Sequence, residues 1–187
     1  MGQPSEGSNG RSMQLKPLYR ARFEYPEQWD ADLKGENGTE EQMFLLAEGT
    51  VEGRLRGRFR GANYPRRRTD ATAVTDFRGV IESEDGAVVL FEYRGYGRAH
   101  TPEHDRVAGA DRRQWVATAM HLTHDPRYLW LNDTVCVGTG EVGRRPGGSP
   151  SHTGGSSAGP TAQLLLDVAE LVWEPPPGTL TDPHDPK

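Results

Sequence analysis

Val51-Glu52-Gly53-Arg54-Leu55-Arg56-Gly57-Arg58-Phe59-Arg60 alternates without a break: every even position is charged and every odd position is apolar or Gly. Side chains of an extended strand point to opposite faces in turn, so a period of two collects the charges on one side and the apolar groups on the other. A helix would spread the same residues around its circumference. The stretch therefore predicts a strand with one face in water and one against a core. Its Arg row reads as the solvated face, not as a phosphate site.

The same period recurs on both sides of this stretch. Strands are predicted from Leu15 to Phe23, Gln42 to Glu48, Ala71 to Glu82, Ala87 to Arg94, Gln114 to Leu122, Thr134 to Val142 and Gln163 to Trp173. Asp85-Gly86 between two of them is a two-residue hairpin signal, and Asp30 to Glu41 reads as a polar, Gly-rich loop. The single helical signal is Asp125 to Asn132, where an Asp N-cap and a Pro at the first helical position give about one turn. Seven or more antiparallel strands with short turns imply a barrel or a sandwich. A chain of 187 residues fits one domain, and its length favours an all-β fold made of a single closed antiparallel barrel.

Composition narrows the partners. The net charge of −5 and pI of about 5.7 argue against nucleic acid or an anionic membrane. No apolar run approaches the length of a membrane span, and MGQPSEGSNGR at the start offers no signal-peptide core. A soluble, cytoplasmic protein is expected, and a homodimer stays open. Cys136 is the one cysteine, so neither a disulfide within the chain nor a Cys-based zinc cage is available. Residues 1–12 and the Pro-rich tail 175–187 read as disordered. The barrel domain is placed at 13–174, with 144–160 as a flexible Gly/Ser/Pro loop within it.

Two motif matches do not survive their context. Gly138-Thr139-Gly140-Glu141-Val142-Gly143 fits G-x-G-x-x-G, but Arg144-Arg145-Pro146-Gly147-Gly148 follows where a helix N-terminus must hold the pyrophosphate. His100/His104 and His121/His124 have metal-like spacing, yet on strands and loops such pairs point apart. No metal and no cofactor are expected. Cys136, between Val135 and Val137, reads as inert core.

Four stretches carry a resemblance. They are EGTVEGRLRGRFRGANY, ending in Gly61, Ala62, Asn63 and Tyr64; Asp70, Asp76 and Arg78 leading to Glu84-Asp85-Gly86-Ala87; Tyr93-Arg94-Gly95; and WVATAMHLTHDPRYLWLN followed by TVCVGTG. In this order they resemble the DUF3237 family, also called UPF0311, whose members are small proteins of largely unassigned function. The resemblance implies a calycin-like, that is lipocalin-like, β-barrel. Asn63 stands where the family's G-A-D-W pattern has an acid, and Ala117 where the family usually has Arg.

A barrel of about eight strands has room for one small ligand, with polar groups at its mouth. The candidate lining consists of Glu52, Asn63, Asp70, Arg94, Thr118 and Asn132, with Trp115 and Trp130 as apolar walls. Tyr64, His121 and His124 are the candidate acid/base groups. His121 ends a strand in which Trp115, Ala117 and Ala119 share one face, leaving a small-residue hollow beneath an imidazole suited to proton transfer. Two functions stay open. One is a cofactor-independent isomerase or cyclase of a hydrophobic metabolite; the other is a non-catalytic binding or carrier barrel. Because closure entropy changes slowly with loop length, shortening the 144–160 loop is expected to leave the thermal midpoint, followed by circular dichroism, within a few degrees of the parent.

Overall fold

The computed structural model describes residues 12–99, 113–144 and 162–174. Its strands are β1 (Ser12–Gly35), β2 (Gly38–Gly53), β3 (Gly57–Asn63), β4 (Arg66–Arg67), β5 (Ala73–Ser83), β6 (Val88–Ala99), β7 (Arg113–Leu122), β8 (Cys136–Arg144) and β9 (Ala162–Glu174). All pair antiparallel in one sheet of order β1-β9-β8-β7-β6-β5-β3-β2, and the two-residue β4 bridges β2 and β5 beyond the end of β3. β1 pairs with β9 from Ser12 to Glu24 and with β2 from Tyr19 to Gly35, so the order of paired neighbours returns to its first strand. The result is an all-β, barrel-like sheet. Among the described residues no helix is long and apolar enough to cross a membrane.

The inward face is filled by aromatics. Phe59 stacks on Phe91 with ring centroids 4.6 Å apart, Phe91 on Tyr93 at 4.6 Å, and Phe23 lies 4.9 Å from Phe59. Glycines make room for them. A Cβ on Gly79 would fall 2.5 Å from Phe91 Cζ and 2.1 Å from the Arg60 carbonyl oxygen, which only a residue without a side chain avoids.

The alternating stretch from Val51 to Arg60 is not one strand but a hairpin. β2 ends at Gly53, Arg54-Leu55-Arg56 turns, and β3 starts at Gly57. A turn of three residues preserves the phase, so the alternation passes through it undisturbed: Leu55 is fully buried and Arg54 and Arg56 are exposed. The expected loop from Asp30 to Glu41 is also different, being a ladder that continues to Gly35↔Gly38. Both of its faces are wet, so it carries no apolar period. The helical turn is a 3₁₀ segment, Leu129–Asp133, which buries Leu131. The expectations for the chain ends and for the 144–160 loop fall outside the described residues, except that Ser12 belongs to β1 and Arg144 to β8.

The turn at 54–56, the hairpin at Asp85-Gly86 and the 3₁₀ segment share one end of the sheet. Leu18, Leu55 and Leu131, all buried, plug it. Arg127 ties the cover together, reaching Asp85 at 3.0 Å and Asp125 at 2.8 Å, while the Tyr128 hydroxyl donates to Asp85 Oδ2 at 2.9 Å. Because Phe59 sits in the centre of the aromatic stack, Phe59→Ala is expected to cost about 3–5 kcal/mol. Arg58→Ala, one position away on the wet face, should stay within about 0.5 kcal/mol; urea unfolding of the two variants checks both.

Candidate functional site

At the opposite end the β6–β7 and β8–β9 connections depart, and the inward residues become small: Thr75, Gly95, Gly97, Ala117, Gly138 and Gly140. A cavity of about 40 Å³ lies there. Trp115 forms one wall, its ring lying across Gly97 so closely that a Cβ at 97 would sit 2.9 Å from it. Tyr25, Phe77, Tyr93 and Leu164 are among its apolar walls, and Asn63, Thr75 and Glu141 are the other polar residues along it.

Those polar groups are incompletely paired. Asn63 Nδ2 donates to the Tyr25 hydroxyl at 2.8 Å, which leaves Asn63 Oδ1 without a partner. Thr75 Oγ1 and Trp115 Nε1 have none either. Asn63, Thr75 and Trp115, which all line this cavity, therefore each carry one unpartnered buried atom, two of the three able to accept and two able to donate since the threonine hydroxyl does both.

Tyr93 separates this cavity from a buried cluster. Its hydroxyl shares a short hydrogen bond with the Tyr19 hydroxyl, which lies 2.7 Å from His121 Nε2. Burial raises Tyr19 and Tyr93 well above the ordinary phenol range and lowers the His121 imidazole to about 4. All three are neutral at neutral pH, and His121 Nδ1 has no partner. Burial also pushes the Cys136 thiol up to about 11, too high for a nucleophilic thiolate.

A second concavity, of about 930 Å³, lies on the outer wall where the β7–β8 ladder stops at Ala119↔Cys136. Leu90, Met120, Leu122 and Val135 line it, with His121 and Cys136 behind. Below the gap the Asn132 side chain takes over from the ladder: Nδ2 donates to the Thr123 carbonyl and Oδ1 accepts from the Thr123 N–H, each at 2.9 Å.

The candidates from sequence do not converge on one place. Asn63 and Trp115 line the mouth cavity; His121 is interior, on the same face as Trp115, Ala117 and Ala119, but bonded to Tyr19. Odd positions face inward in β2, β3, β6 and β7, so the even-numbered Glu52, Tyr64, Arg94 and Thr118 point outward. Tyr64 lies against Phe44 at 6.2 Å, and the Thr118 hydroxyl donates to the Arg94 carbonyl at 3.3 Å. Asp70 is exposed in the turn before β5, where the Thr72 N–H holds its carboxyl below the usual range. His124 and Trp130 belong to the plugged end, with the Arg54 guanidinium 4.2 Å above the Trp130 ring. Tyr19, Tyr25, Thr75 and Tyr93 are not among the candidates from sequence, although all four carry the inward, odd phase of their strands. Among the described residues no cluster of three metal-ligating side chains occurs; His100 and His104 lie outside them.

An antiparallel barrel-like sheet with a small, mostly apolar cavity defines a small β-barrel-like protein. The chain belongs to the DUF3237 family, described as proteins of unknown function, whose profile matches residues 13–149. Solved structures share the fold. A β-barrel like protein of Acinetobacter baumannii AYE is 23% identical with a TM-score of 0.65, covering 88% of this chain and 99% of that one. A conserved protein of unknown function from Rhodopseudomonas palustris is 17% identical, TM-score 0.61, covering 87% and 100%. An enzyme from Penicillium herquei is 18% identical, TM-score 0.57, covering 89% and 99%. No curated protein sequence matches.

His121 gives the site a pH signature. Its folded pKa of about 4 lies below the unfolded 6.5, so the unfolded chain takes up the proton first as pH falls. The contribution is full above pH 6.5 and lost on acidification toward pH 4, to the order of 3 kcal/mol. His121→Gln, which keeps a hydrogen-bonding partner for Tyr19 but does not titrate there, should therefore close its stability gap to the parent between pH 7 and 4. Urea unfolding at pH 7, 5.5 and 4 measures the gap; one that does not change with pH contradicts the assignment.

Proposed function

We propose that the chain binds a hydrophobic small molecule by its polar head in the mouth cavity, with the strand ring acting as a closed, calycin-like barrel. The observation that carries this reading is that three residues lining one apolar cavity, Trp115, Thr75 and Asn63, each hold a buried polar atom without a partner, Nε1, Oγ1 and Oδ1. Leaving a buried polar atom unmet costs roughly 1–3 kcal/mol, so a protein shaped only for stability would pair these atoms or replace them. About 40 Å³ holds some three water-sized groups at roughly 10–15 Å³ each. The head is accordingly compact, such as a carbonyl beside an enol or phenol hydroxyl, and the apolar remainder of the guest lies toward the mouth.

The same groups suit cofactor-independent isomerisation or cyclisation. Trp115 N–H and the Thr75 hydroxyl can both donate to a carbonyl oxygen, and donors fixed in an apolar site stabilise negative charge that develops there. Tyr93, held neutral and backed by Tyr19 and His121, is the acid/base group nearest the guest. The enzyme named from Penicillium herquei supports catalysis over simple carriage. Polar atoms in an apolar cavity point the same way.

Phenol and 2-cyclohexenone serve as probes. Titration of the labelled protein should shift the Trp115 indole N–H signal, identified by its loss in Trp115→Phe. Thr75→Val should unfold at the same or a higher temperature than the parent and bind phenol about tenfold more weakly, the worth of one hydrogen bond. An indole signal that neither probe moves, or a Thr75→Val variant that binds like the parent, overturns the reading.

A further inference from the structure

The outward face of β5, β6 and β7 carries two rows of exposed apolar side chains. Register sets Val80, Leu90 and Leu122 in one row and Tyr96 and Val116 in another. Leu90, Leu122, Met120, Tyr96 and Val116 are 50–60% exposed, and Val135, on the far side of the wall groove, extends the leucine row. Exposed apolar side chains gathered in rows, unlike ones scattered singly, mark interaction surfaces. On the outward face of β2 and β3, Glu48, Thr50, Arg58 and Arg60 are polar, and Phe44 forms a separate exposed aromatic group with Trp29 and Tyr64.

Between the two apolar bands lie four charges. Arg78 is opposite Glu92 and Asp76 opposite Arg94 in adjacent register pairs, so the sign alternates both along each strand and across the two strands. Within the chain Arg94 pairs with Glu92 at 2.5 Å, Arg78 reaches Asp76 and Glu92 at 3.5 Å, and the Arg78 and Arg94 side chains are 61% and 57% exposed. Such pairs are worth little in water.

A square of alternating charges is its own complement. Turning a second copy over about a two-fold axis in the plane of the sheet, perpendicular to the strands and between the two charge pairs, brings each acid against a base. The same rotation keeps each strand over itself and lays the row of Val80, Leu90 and Leu122 on the row of Tyr96 and Val116 of the other copy. Isologous dimers are built this way, and complementary charge at the centre fixes register and excludes other partners. We propose that this face pairs with the same face of a second copy, giving a two-fold dimer packed sheet on sheet.

Sedimentation velocity of the full chain at tens of micromolar should show a dimer. Arg78→Glu with Arg94→Glu makes the square all acidic, and Asp76→Lys with Glu92→Lys makes it all basic. Each double variant alone should sediment as a monomer with the parent's circular dichroism, and an equimolar mixture should recover a mixed dimer. Leu90→Lys, a single change on the apolar band, should also give a monomer. A monomeric parent, variants that assemble like the parent, or a mixture that fails to associate would overturn the proposal.

Discussion

Everything inside the sheet follows from the volume of one aromatic stack. Phe59, Phe91 and Tyr93 lie face over face, and three rings in one layer leave no space for side chains across from them. Gly79 supplies that space where Phe91 needs it. Toward the plugged end the remaining volume is taken by leucines. Toward the mouth, the small residues that accommodate the Trp115 ring leave a space that no side chain fills. Cavity and core are thus two outcomes of one rule, large side chains answered by small ones across the inward face of the sheet.

Polarity is sorted by the same geometry. The interior tyrosines and His121 are neutral because burial penalises charge, and they satisfy one another where they meet. At the mouth the pairing stops, and polar atoms are left directed into apolar surroundings. The plugged end has the reverse character. Arg127, Asp85, Asp125 and Tyr128 are fully engaged with one another, which accounts for His124, Trp130 and Asn132 as parts of a cover.

The barrel-like, all-β architecture was legible because one face of each strand must be apolar and the other wet. Two elements were not. The turn at Arg54-Leu55-Arg56 leaves no mark on the alternation because three residues keep its phase, and the ladder out to Gly35 has no buried face to mark it. The site was legible only in part. Asn63 and Trp115 could be chosen, and parity alone would have excluded Glu52, Arg94 and Thr118 and brought in Tyr93 and Thr75. Parity is not a constant of the chain, however: inward positions are odd through β7 but even in β8 and β9, with Cys136, Leu164 and Leu166 buried. The switch is made by the register of β7 on β8, which no local pattern encodes. Which polar atoms lack partners is likewise a property of the assembled ring.

The Asn132 amide, which bonds Thr123 in place of a strand, gives the wall a seam. Elsewhere neighbouring strands are joined by a succession of backbone bonds that must break together, but here two bonds from one side chain hold the join. Such a place can part without the rest of the sheet coming undone. Only an amide fits it: a carboxylate would have no hydrogen to offer the Thr123 carbonyl, and an aliphatic group could neither give nor accept. The least cooperative point of the enclosure therefore lies beside its buried imidazole, so transient opening would bring His121 into contact with water while the aromatic stack stays dry.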